Sequence, residues 1–224
     1  MTEHIIAQRL GLRLDNVVVK MQSYDPPLFD DGSMPIAKGI VQAGVVEDET
    51  LPLSYFSVKE PVAIMNERGG FLLFEPPAEQ ENVARLTLDV AVDFPNAIGR
   101  QRIVFDLTDE AFTHGAMART NASFKDYILM KTLGKFSAFW RNTGYNRKNI
   151  LVAGKKDYWN TPGLMHDGKS LEAVWHRACE DLLAALSLWE SGRLMGRITS
   201  YKAGHQLDVD FMTALAKQGL LVEC

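Results

Sequence analysis

Apolar and polar residues alternate most cleanly over residues 84–94, "ARLTLDVAVDF". Leu86, Leu88, Val90, Val92 and Phe94 fall on one side, and Arg85, Thr87, Asp89 and Asp93 on the other. A period of two predicts a strand with one buried and one wet face. "PVAIMNERGGFLLFE" predicts a hairpin, with Gly69 and Gly70 supplying the positive φ of a short turn. Further strands are predicted near residues 12–21, 40–46 and 102–107. The acidic, proline-bearing stretches "SYDPPLFDDGSMP" and "FEPPAEQEN" predict surface loops between them.

After residue 107 the period changes. Thr108, followed by Asp109 and Glu110, predicts a capped short helix. Asn121 or Ser123 starts a longer one on which Leu129, Leu133, Phe136 and Trp140 recur at helical spacing, ending near Gly144. "NILVAG" predicts a short strand. Ser170 caps the strongest helical pattern, "LEAVWHRACEDLLAALSLWES", with Leu171, Val174, Ala178, Leu182, Ala185 and Trp189 on one face and Gly192 as its stop. A short helix from Asp210 and a strand over residues 220–222 close the chain. The pattern predicts an α+β fold: an antiparallel β-rich N-terminal part, residues 1–107, packed as one unit with a mainly helical C-terminal part carrying short strands, residues 108–224.

Composition narrows the class. Of the 224 residues 46% are hydrophobic and 23% charged, enough apolar material for a sizeable core and too much for a disordered chain. The opening "MTEHIIAQRL" predicts no secretory leader, and "LLAALSLW" is too short to span a bilayer. Two cysteines, Cys179 and Cys224, form neither a zinc spacing nor a disulfide framework, so a reducing, cytoplasmic setting is expected.

Charge is uneven. Residues 1–110 hold 9 basic and 18 acidic side chains and residues 111–224 hold 15 and 10, so a net charge of −4 hides a −9 half and a +5 half. The basic excess peaks in "KFSAFWRNTGYNRKNILVAGKKDYW", where cations alternate with rings. Cations neutralise phosphates and rings stack on unpaired bases. The pattern therefore predicts a non-catalytic subunit that binds RNA or single-stranded DNA in a nucleoprotein assembly. Lys131, Lys135, Arg141, Arg147, Lys148, Lys155 and Lys156 would hold phosphate, and Tyr145, Tyr158 or Trp159 would stack bases. The acidic half would dock on other protein subunits.

Two other classes fit parts of the sequence. Acidic-to-basic contacts between copies would suit a structural assembly protein such as a virion or tail component. "HQLDVD" sets Asp208 and Asp210 near His205, the elements of a metal-dependent phosphoesterase. Otherwise the five histidines, His4, His114, His166, His176 and His205, show no metal-binding spacing, and no GxSxG, Walker or GxGxxG motif occurs. No cofactor or metal is expected.

Overall fold

The structure is a computed structural model that describes residues 1–22, 26–48, 50, 52–78, 83–133 and 145–224. Its centre is a five-stranded sheet in the order β2 (Val62–Met65), β3 (Phe71–Glu75), β11 (Gly196–Tyr201), β4 (Leu86–Asp93) and β5 (Arg100–Asp106). Strand β11 runs parallel to β4 and antiparallel to β3, so the C-terminal half of the chain supplies the middle strand of the N-terminal sheet. Register builds two rows across one face: Val62, Phe74, Ile198, Leu88 and Phe105, and then Ile64, Leu72, Ser200, Val90 and Ile103. Phe74, Leu72, Ile198, Leu88 and Val90 are wholly buried, each worth roughly 1.5–3 kcal/mol of transfer free energy. Ser200 is the polar gap in that apolar surface.

On this face lies one long helical segment in three pieces: α6 (Glu172–His176), a π-helical turn (Arg177–Leu182) and α7 (Leu183–Leu186). Beside it packs α8 (His205–Lys217). Two short N-terminal helices, α1 (Glu3–Ile6) and α2 (Gln8–Gly11), pack on α7. The chain also forms α3 (Met34–Ala43), α4 (Asp109–Gly115) and α5 (Phe124–Leu133). A parallel pair, β6 (Thr120–Ser123) and β7 (Ile150–Ala153), flanks α5 in sequence. Strand β1 (Tyr55–Val58) pairs with β10 (Arg193–Leu194) and β12 (Leu221–Glu223), while β8 (Met165–His166) and β9 (Lys169–Ser170) make a small hairpin.

The fold is α+β, as the patterns predict. Thr108 and Ser123 cap α4 and α5 by accepting from the amides of Ala111 and Asp126, both at 3.1 Å. Other local expectations are corrected. Residues 12–21 form no strand, and residues 40–43 close a helix, because Pro35 in its first turn starts α3 and Met34 and Ala37 bury one side of it. The last helix starts at His205 behind Gly204, so Asp210 lies inside it and caps nothing. The strongest helix stops at Leu186, six residues before Gly192. Phe136, Trp140 and Gly144 lie outside the described residues.

Candidate metal centre

Three histidines far apart in sequence meet where α1, the π turn and α8 converge. His4 and His176 are both buried, their ring centroids 5.5 Å apart. Their Nε2 atoms lie 3.2 and 3.1 Å from the same hydroxyl, Oγ1 of Thr120 at the start of β6. Oδ1 of Asp181 is 3.7 Å from Nδ1 of His176 and 3.8 Å from Nε2 of His205. Glu3 completes the group, with Oε1 3.8 Å from Nε2 of His4. One donor atom each from Glu3, Asp181 and His205 lies within 4.8 Å of the other two.

Local structure explains the convergence. Adjacent positions on α1 carry Glu3 and His4, and the contact of α1 with the π turn and α7 turns both inward. The π turn does the same for Asp181. Hydrogen bonds from i to i+5 widen it, so a residue five positions after His176 comes back to the histidine's face. His205 opens α8, where its side chain stays 67% exposed beside the buried pair.

The electrostatics favour a bound cation. Burial, then the neighbouring His176, pulls the His4 imidazole down to about 3, so at neutral pH it is uncharged and offers a lone pair. Oδ1 of Asp181 is inaccessible and has no hydrogen-bond partner among the described residues. A buried, orphaned carboxylate oxygen is costly as it stands, and a divalent ion would satisfy it. Two imidazoles and one carboxylate are the donor set of a catalytic zinc site that keeps a position open. His4 and His176 fit as ligands because they are enclosed where His205 is exposed, and Asp181 because its Oδ1 is inaccessible and unpartnered. Glu3 and His205 flank them.

A second buried carboxyl belongs to Glu180. Burial pushes it well above the usual carboxylate range, against the hydrogen bond it accepts from the Ser33 hydroxyl. Cys179 is likewise pushed up by burial and packs as an apolar group beside Gly115, so it offers no thiolate.

Residues 1–217 match the family model of LpxC, UDP-3-O-acyl N-acetylglycosamine deacetylase. The chain belongs to the LpxC family. It is 30% identical over 207 residues to the UDP-3-O-acyl-N-acetylglucosamine deacetylase of Bdellovibrio bacteriovorus, covering 92% of this chain and 62% of the relative. The Shewanella oneidensis protein of the same description is 26% identical over 223 residues, covering 96% and 66%. The chain thus spans just under two thirds of the length of these relatives. Membership in a deacetylase family overturns the expectation of a non-catalytic nucleic-acid-binding subunit, and with it RNA, single-stranded DNA and docking subunits as partners. Among the described residues no helix is long and apolar enough to cross a membrane.

The residues singled out by charge are only partly gathered. Arg147 lies over the Trp159 ring at 5.3 Å, and the two line a cavity of about 550 Å3 with Lys148 and Arg119. Lys155 and Lys156 line another, of about 540 Å3, with Tyr158 and Trp159. Trp159 is already stacked on Phe124 at 3.8 Å. Tyr158 packs against the main core, and Tyr145 is half-buried against Tyr127, Ile150 and Val152. Neither tyrosine is a free stacking platform. Lys131 sits on α5 over the Tyr127 ring, and Lys135 and Arg141 lie outside the described residues.

The phosphoesterase trio is also redistributed. Asp208 is turned inward onto Arg177, and Asp210 accepts from Gln206 at 2.8 Å, leaving only His205 at the cluster.

Proposed function

We propose that this chain is a metal-dependent amidohydrolase that removes the N-acetyl group from a UDP-3-O-acyl-N-acetylglucosamine, the substrate named for its relatives. The observation that carries the reading is the convergence of His4, His176 and Asp181, flanked by Glu3 and His205, in a member of a deacetylase family.

A zinc ion in this donor set supplies Lewis acidity toward the amide carbonyl and acidifies bound water. The protein supplies the proton traffic. Glu3, facing the cluster beside His4, accepts a proton as water oxygen bonds to the acetyl carbon. The hydroxyl of Thr120, between the two imidazoles, donates to the carbonyl oxygen as negative charge develops there. His205, the exposed member, gives a proton to the sugar nitrogen as the C–N bond breaks, releasing acetate and a free amine. Burial of His4 and His176 keeps the ligands fixed while the more accessible pair exchanges protons.

The test is zinc content by mass spectrometry together with acetate release from UDP-3-O-acyl-N-acetylglucosamine. One zinc per chain with turnover is expected, and Glu3→Gln should lower kcat by about 10²–10⁴ at unchanged zinc content. A folded, zinc-loaded chain that releases no acetate would overturn the substrate assignment.

A further inference from the structure

Glu180 lies in the π turn, and its side chain is entirely buried. Its Oε1 accepts from Ser33, whose hydroxyl in turn accepts from Nε2 of Gln8 at 3.1 Å. The same Gln8 nitrogen donates to the carbonyl oxygen of His4 at 2.9 Å. The other carboxyl oxygen, Oε2, has no hydrogen-bond partner among the described residues and lies 4.0 Å from Nδ1 of His4. His4 is therefore tied at its backbone through Gln8 and Ser33, and the far side of its ring faces the unpartnered oxygen of Glu180.

We propose that Glu180 is the positioning residue for His4, taking the Nδ1–H of the imidazole so that Nε2 presents its lone pair to the metal. The inference rests on the reading of His4 as a ligand. The remaining gap of about 1 Å to hydrogen-bonding distance is within reach of a side-chain rotation. An imidazole that ligates through one nitrogen needs its proton on the other, and a carboxylate there fixes both tautomer and ring plane; losing such a partner commonly weakens metal binding about 10–100-fold. The π turn brings Asp181 to the histidine face and leaves Glu180 directed at Ser33 and His4, so consecutive acidic side chains face different histidines.

The experiment uses the full chain labelled with nitrogen-15, stripped of metal, and reads the His4 ring nitrogens by long-range correlation NMR before titrating zinc against a competing chelator. Wild type should show the Nδ1–H tautomer. Glu180→Leu should lose it and bind zinc at least tenfold more weakly, while Glu180→Gln, which can still accept the Nδ1–H, should keep the tautomer and most of the affinity. A wild-type Nε2–H tautomer, or Glu180→Leu binding zinc within twofold of wild type, would overturn the proposal. Should Glu180→Leu not fold, the wild-type tautomer and Glu180→Gln decide. Wild type that binds no zinc would sink the metal reading instead, and the tautomer would still report on Glu180.

Discussion

Oδ1 of Asp181 lies 3.7 Å from Nδ1 of His176 although five residues separate them along one helical segment. In an α-helix each residue turns about 100°, so the fourth residue on returns to within about 40° of the start and the fifth points about 140° away. A regular helix would therefore give Glu180 to the histidine face and turn Asp181 aside. The π turn reverses that choice. Removing one residue should restore α-helical register with the aspartate still beside His176, because a π turn is one residue inserted in a helix. Deleting Glu180 is expected to leave a folded chain that binds one zinc at saturating metal, whereas Asp181→Ala binds less than one. Equal loss of zinc in both variants would show that the widened turn does not select the carboxylate.

His205 is the exposed member of the cluster and the one suited to hand a proton to a leaving amine. His205→Gln should lower kcat about 10²–10³-fold while zinc content stays at the wild-type level. A fall in zinc content parallel to the fall in kcat would mean that His205 orients Asp181 without transferring a proton.

The main architecture was legible because it rests on periodicity. The period-two run at residues 84–94 became β4, and the apolar face of Val174, Ala178, Leu182 and Ala185 became the buried side of the long helical segment. The site was not legible, because its signals are short and depend on contacts distant in sequence. Glu3 and His4 read as polar residues beside a short apolar run, and the spacing of His176 and Asp181 is a metal spacing only in a π turn. Charge density drew attention to residues 135–159, where Arg147 lies over the Trp159 ring and Tyr158 packs on the core. His205 was noticed, but its partner lies on the π turn and not at Asp208.

Gly32 and Ser33 pin the loop that holds Glu180. Gly32 has φ of 59°, and a Cβ there would overlap the carbonyl oxygens of Ala116 and Ala118. The amide of Ser33 donates to the Ala116 carbonyl at 2.9 Å. Gly32→Ala is expected to cost about 2–3 kcal/mol and lower Tm by roughly 6–10 °C, and to weaken zinc binding through Ser33. A shift in Tm under 2 °C, measured calorimetrically on the metal-free chain, would contradict the close approach.

His4 should make the metal-free protein acid-sensitive. Its imidazole titrates at about 3 when folded and at 6.5 in the reference state, so below 6.5 the unfolded chain binds the extra proton. Stability from this group is therefore complete above pH 6.5 and is lost progressively as pH falls toward 3, by at most about 5 kcal/mol. Urea denaturation of the chelator-treated chain should show midpoints falling over that window. His4→Gln should flatten the slope there, and an unchanged slope would place the acid sensitivity elsewhere.

The π turn is tied to α8 by a buried ion pair. Arg177 donates to Oδ1 of Asp208 and, at 3.3 Å, to Ser200, the polar gap in the sheet face. Burial raises the Asp208 carboxyl more than Arg177 lowers it, the balance expected of an enclosed pair with few other partners: Nε and Nη1 of Arg177 and Oδ2 of Asp208 have none among the described residues. Such a pair contributes little net stability, but breaking it strands a buried charge. Arg177→Met is expected to cost about 3–5 kcal/mol in urea denaturation, and Asp208→Leu a similar amount. The double variant, with neither charge, should recover most of the loss. Since Arg177 follows His176 and Asp208 lies one turn from His205, the double variant should still lose activity if the pair sets the spacing of the two histidines. Full activity together with full stability would mean that packing alone aligns the turn with α8.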